Sequence, residues 1–227
     1  MLFALRHPAV LLGLVLGFAA GCLLRVVVAR LVARPRRPVR SLSAPGPLRG
    51  VTSARSWLDP FGVIAFVLSG VGWAPPQEAP RHRTGRLWAL AVTAVASHAA
   101  LAAVGLLAFR AAGGALASLT FIPTVDVLHG SSDFGLTVAQ QVTLGFAIEN
   151  IGCGLLSIVP IPPLETGVAA WSQFPTTVGA RRWAYRVLEE QWGVAVILLF
   201  LLLPLGGDQP PLLSAIGAVS DHILHAL

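Results

Sequence analysis

Apolar residues in this chain come in long continuous runs rather than in alternation. The first extends from Val10 to Val32 and is interrupted only by Arg25 and Arg30 near its end, where long side chains can snorkel to the headgroup layer. The second, Leu87 to Ala108, carries one strongly polar ring, His98. The third, Val138 to Val159, contains Glu149 and Asn150 and stops at a proline-rich turn beginning with Pro160. A fourth, Gly193 to Leu205, is short, with Glu190 to Trp192 in position to extend it through the headgroups. Runs of roughly 20 apolar residues predict spanning helices, because in lipid each backbone N–H and C=O must be satisfied inside the helix. Phe61 to Trp73 is too short and too rich in glycine for a span, which predicts a re-entrant or hairpin segment. The chain therefore reads as an all-α integral membrane protein, one membrane domain over residues 1–227 with about four transmembrane helices and a re-entrant piece.

Composition agrees: 55% of residues are hydrophobic and 11% charged, against about 25% charged in soluble domains, and the mean hydropathy is +0.75. Charge placement then gives an orientation. Eight arginines and no acid lie between Arg25 and Arg55, Arg81, Arg83 and Arg86 follow the re-entrant segment, and Arg181, Arg182 and Arg186 follow the third run. The positive-inside rule puts all three groups in the cytoplasm, which requires Phe61 to Trp73 to turn back rather than cross. The loop from Ala111 to Thr137, with Asp126, Asp133 and no arginine, then faces outward, as does the tail over residues 206–227. The linker from Pro35 to Pro47 reads as a mobile basic cytoplasmic loop. The absence of lysine fits a GC-rich genome, and the expected location is the plasma (inner) membrane of a bacterium.

Bland readings compete with sharper ones. Arg6, the apolar run and Ala19-Ala20-Gly21-Cys22 could form a lipoprotein signal, but further membrane helices follow, so a first spanning helix is preferred. A net charge of +6 could suggest nucleic acid, yet a basic loop beside anionic lipid explains it more simply, and the expected partner is the bilayer with no nucleic acid. Cys22 and Cys153 both fall in apolar helices and read as buried, inert thiols.

The segment Ser157-Ile158-Val159-Pro160-Ile161-Pro162-Pro163-Leu164-Glu165-Thr166-Gly167 ends an apolar helix with three prolines and an acid. Proline cannot continue the helix, and irregular backbone at that depth must be packed in protein or line a polar cavity. Here the chain resembles the site-2 protease family of intramembrane zinc metalloproteases, whose last core helix ends in a pattern close to N-L-L-P-I-P-P-L-D-G-G. Pro160 to Leu164 match, Glu165 stands at the metal-binding aspartate, and Gly167 at the second glycine. Trp57-Leu58-Asp59-Pro60-Phe61-Gly62 and Gly72-Trp73-Ala74-Pro75-Pro76 are similar, in the same order, to the family's H-I-D-P-I-G and F-G-W-A-K-P-V-P segments. Ala94-Val95-Ala96-Ser97-His98 sits where the family has G-P-L-S-N and keeps only the serine. The resemblance covers roughly residues 50 to 170 and implies a site-2-protease-like core.

The catalytic part departs from that pattern. A zinc peptidase of this kind needs His-Glu-x-x-His on a helix, two histidines on one face for the metal and a glutamate to activate water. The first 58 residues contain one histidine, His7, and no acid. The counterpart in the first helix is Gly17-Phe18-Ala19-Ala20-Gly21, with glycine at both ligand positions. His98 and Glu165 are the weak candidates for a metal, and two ligands fall short of the three protein ligands a catalytic zinc keeps. His82 lies in a cytoplasmic loop, and His129, His222 and His225 on the opposite face; the last two read as solvated residues of an amphipathic tail. No cofactor is therefore expected, with zinc as the alternative. The residues expected to line a retained cleft are His98, Glu149, Asn150, Pro160, Pro162, Pro163 and Glu165. Glu149 and Asn150 read preferentially as polar contacts between helices near the outer part of the third span. Asp59, before Pro60, reads as a cap or brace for the re-entrant element. The expected function is a catalytically inactive, protease-like scaffold that binds or regulates another membrane protein or its transmembrane segment. The alternatives are an active metalloprotease with unusual ligands and a transporter or channel subunit.

Overall fold

The computed structural model describes residues 7–33, 58–75, 84–130, 135–171, 173, 178–179, 183, 186–187, 192–205 and 207–226. The Pro35 to Pro47 linker, His82 and Asp133 lie outside the described residues. Among the described residues the chain is helical with no strand. The elements are α1 (Pro8–Ala33), α2 (Pro60–Ser69), α3 (Thr84–Ala111), a 3-10 turn (Leu116–Phe121), α4 (Thr124–His129), α5 (Val138–Ile158), α6 (Glu165–Trp171), α7 (Trp192–Leu202) and α8 (Pro211–His225).

Three of these helices, α1, α3 and α5, are long and apolar enough to cross a membrane. They form the centre of the bundle, and glycines set how closely they pack. Gly13 and Gly17 of α1 lie against the backbone of Val142 and Phe146 in α5, and Gly145 of α5 lies against Val10. Residue numbers thus rise together along the two helices, which run parallel. Gly105 of α3 faces Ala147, while His98, earlier in α3, faces Gly154, so α3 runs antiparallel to α5. The end of α1, the start of α3 and the end of α5 therefore share one side of the bundle.

That arrangement bears on the segment between α1 and α3, since the chain leaves α1 and enters α3 at the same end. α2 begins at Asp59, whose carboxylate accepts hydrogen bonds from the backbone N–H of Phe61 at 2.8 Å and of Gly62 at 3.4 Å. Pro60 sits at the first helical position, where its missing N–H costs nothing. After ten residues Gly70 stops the helix in the left-handed conformation, at φ +90°. Residues 71–75 return alongside α2, and the Trp73 indole donates to Asp59 at 3.3 Å. Among the described residues Phe61 to Trp73 is a hairpin, and the end of α1, the start of α3 and the end of α5 lie on one side of the bundle.

The fourth expected span is not shown among the described residues. Helix α7 has 11 residues, about 17 Å of rise against a hydrocarbon core of about 30 Å. Its first turn abuts the proline turn, with Gly193 packed on the carbonyl of Pro162. The segment expected as a tail is a packed helix: α8 buries Leu213, Ile216, Gly217, Ser220 and Leu224. Asp221 of α8 accepts from the backbone N–H of Thr124 at 2.8 Å and from its hydroxyl at 2.5 Å. It thereby caps α4 from a distant part of the chain, where Pro123 offers no side-chain cap. His222 and His225 are exposed, as the sequence suggested, with the His225 ring 3.2 Å from the carbonyl of Thr120.

Candidate functional site

Helix α5 opens with a capping box, in which the Thr137 hydroxyl accepts from the Gln140 N–H while the Gln140 side chain accepts from the Thr137 N–H. It ends at Ile158, before Pro160. The orphaned carbonyl of Ser157 is satisfied by the Thr166 hydroxyl at 2.7 Å, so the turn folds back on the helix it terminates. Gly167 is forced by this path, because a Cβ there would collide with the Ile161–Pro162 backbone. Pro162 is buried, Pro163 half-buried and Pro160 exposed. The turn delivers Glu165 to the start of α6 and buries it.

Glu165 meets Arg25. The two side chains form an ion pair, both about 95% shielded, and Arg25 also donates to the carbonyl of Pro75 at 3.1 Å. The expectation that Arg25 snorkels to the headgroups is thus corrected. A guanidinium at the last turns of a spanning helix has a choice between lipid phosphate and an internal carboxylate, and here the proline turn brings the carboxylate within reach.

One turn deeper lies a second polar layer. Asn150 donates to the carbonyls of Phe146, at 2.9 Å, and of Gly17, at 3.4 Å. With its amide nitrogen so used, its oxygen faces Nδ1 of His98 at 3.1 Å. Glu149 is fully buried; its Oε1 accepts from the Cys153 thiol at 3.0 Å, and among the described residues its Oε2 has no hydrogen-bond partner. Cys153 is also 3.3 Å from the carbonyl of Gly72 in the hairpin. Glu149 and Asn150 sit near the middle of α5 rather than toward its outer end. Both cysteines are free and buried. Ser97, the serine kept from the family's pattern, spends its hydroxyl on the Thr93 carbonyl of its own helix at 2.7 Å.

Positions 17 and 21 of α1 face this layer. A Cβ at Gly21 would stand 2.6 Å from Cε1 of His98, and one at Gly17 would stand 3.0 Å from Cβ of Glu149. Phe18, at the position a catalytic glutamate would take, stacks on Phe66 of the hairpin at 4.4 Å between centroids. The zinc centre that the resemblance implies does not fit these residues. Its two histidine positions are glycines whose side-chain space is filled by His98 and Glu149, and its acid is already paired with a guanidinium. Among the described residues no three His, Cys, Asp or Glu side chains gather closely enough to hold a metal ion.

Comparison with protein-family models, with curated proteins and with solved structures finds no match to this chain.

Proposed function

We propose that this protein is a non-catalytic membrane scaffold with a site-2-protease-like core, which binds another membrane protein or its transmembrane segment at the proline turn. The observation that carries the reading is the Arg25–Glu165 pair: the acid of the P-I-P-P-L turn is held by a side-chain cation. The ordered sequence matches around Asp59, Trp73 and Pro160 support the core, and the hairpin and turn occupy adjoining positions through Pro75 and Glu165. Glycine at positions 17 and 21 argues against peptidase chemistry, since neither the ligands nor the base of such an enzyme is present in α1. The bacterial inner membrane remains the proposed location.

The test is made on untagged protein purified from membranes. Zinc well below one atom per chain, no cleavage of a transmembrane reporter, and a photo-crosslink from exposed position 160 to another protein's membrane segment are expected. Stoichiometric zinc, or cleavage abolished by Glu165→Ala and by His98→Ala, would overturn the reading in favour of an active metalloprotease. One observation favours a transporter or channel subunit instead, the Oε2 of Glu149 inside α5, which has no hydrogen-bond partner among the described residues. Glu149-dependent ion flux in proteoliposomes would establish that role.

A further inference from the structure

We infer that Arg25 is the built-in cation of this centre, taking through a covalently attached guanidinium the charge-balancing and cross-linking place that a metal ion would have. The inference rests on the geometry of the pair and stands whether or not the protein is a scaffold.

Three features carry it. A carboxylate as shielded as that of Glu165 needs a counter-charge, and Arg25 provides one from α1 at equal burial. The guanidinium does more than neutralise. Its Nη2 faces both the Glu165 carboxylate of α6 and the carbonyl of Pro75 at the end of the hairpin, so one guanidinium nitrogen joins three segments far apart in sequence. Finally, the space one turn deeper, where α1 could present further ligands, is taken by His98 against Gly21 and by Glu149 and Asn150 against Gly17. A centre of this kind assembles as the chain folds and owes nothing to metal supply.

The experiment compares thermal unfolding in detergent, read by tryptophan fluorescence, for the parent, Arg25→Ala, Arg25→Ala with Glu165→Ala, and Arg25→Met with Glu165→Leu. The parent is expected to keep its Tm in EDTA and in added zinc. Arg25→Ala is expected to lose roughly 6–20 °C, the penalty of an unpaired buried carboxylate. Zinc is expected to recover none of that loss, because Glu165 alone cannot hold the metal, whereas removing Glu165 as well leaves no unpaired buried charge and is expected to recover part of it. Should Arg25→Ala not fold, the apolar pair Arg25→Met with Glu165→Leu decides, and is expected to fold with a Tm unmoved by EDTA. A parent Tm that falls in EDTA, an Arg25→Ala protein as stable as the parent, or a double alanine variant no more stable than Arg25→Ala would each overturn the inference. So would failure of the apolar pair to fold.

Discussion

The side-chain amide of Asn150 in α5 donates to the main-chain carbonyl of Gly17 in α1, 3.4 Å away. This contact exists because α1 presents no side chain at positions 17 and 21, and the same absence leaves room for His98 to reach Asn150 from α3. Helix association in lipid lacks the hydrophobic drive available in water, so close backbone approach and polar contacts of this sort hold the bundle.

A graded response to alanine at the glycines follows. At Gly13 the added Cβ meets the Val142 carbonyl, which is backbone and cannot move aside, whereas at Gly21 it meets the edge of the His98 ring. At Gly85 nothing lies within 4 Å. The expected order of destabilisation is Gly13→Ala above Gly21→Ala above Gly85→Ala, with the first costing about 3 kcal/mol or more and the last close to nothing. Denaturant titration of the three variants checks the order, and a Gly85→Ala protein weaker than Gly13→Ala would contradict it.

The hairpin hangs on Asp59, one oxygen capping α2 and the other holding the Trp73 indole. Asp59→Asn keeps the cap but turns an acceptor toward the indole into an amide, while Asp59→Ala loses both. Trp73→Phe loses the indole bond alone. The alanine variant is expected to cost about 2 kcal/mol, from about 1 for the cap and about 1 for the indole bond, and Trp73→Phe about half that. A double-mutant cycle between Asp59→Ala and Trp73→Phe reads the coupling directly.

Much of this was legible in the sequence, for definite reasons. The hairpin followed from charge, because three arginine groups can share a side only if Phe61 to Trp73 turns back, and the parallel packing of α1 on α5 has the same consequence. Gly17 and Gly21, which the motif comparison singled out, lie where Glu149 and Asn150 of α5 and His98 of α3 reach α1. Arg25 was not legible. An arginine near a helix end has lipid phosphate as its default partner, and only the fold places Glu165 beside it. Nor was the packing of α8, since an amphipathic pattern is the same for a helix on a membrane surface and for one seated on α4 and the 3-10 turn.

Glu149 and Glu165 are both buried, yet they should respond differently to loss of charge. Glu165 balances Arg25, whereas among the described residues no ion pair reaches Glu149, which accepts a hydrogen bond from the Cys153 thiol. Glu149→Gln is therefore expected to lie within about 1 kcal/mol of the parent, since the amide oxygen still accepts from Cys153. Glu165→Gln leaves the guanidinium buried without its counter-charge and is expected to cost about 3 kcal/mol or more. Equal losses in the two variants would contradict the contrast.

The topology can be read with introduced cysteines, because Cys22 and Cys153 are buried and should stay silent toward a membrane-impermeant maleimide while the protein is folded. Exposed Leu31 and Gly85 lie at the arginine-rich end, and Ala115 and Ala226 lie with the 3-10 turn and α8 at the other. Cysteines at the first two positions are expected to label only in inverted vesicles, and those at the last two only from outside. Labelling of Leu31 and Gly85 from opposite faces would exclude the hairpin.

His129, at the last turn of α4, gives the protein an acid sensitivity outside the spans. Burial disfavours its charged form and lowers its pKa below the ordinary 6.5. The sign follows from linkage: below pH 6.5 the unfolded chain binds a proton that the folded chain resists, so acidification favours unfolding. Stability from this group is complete above about pH 6.5 and declines as the pH falls toward the lower folded value. Thermal unfolding of the parent and of His129→Gln between pH 8 and pH 5 separates this contribution from that of other groups. The Tm difference between the two is expected to shift in favour of the glutamine variant as the pH drops. A difference that stays constant across the range would show that His129 titrates alike in both states.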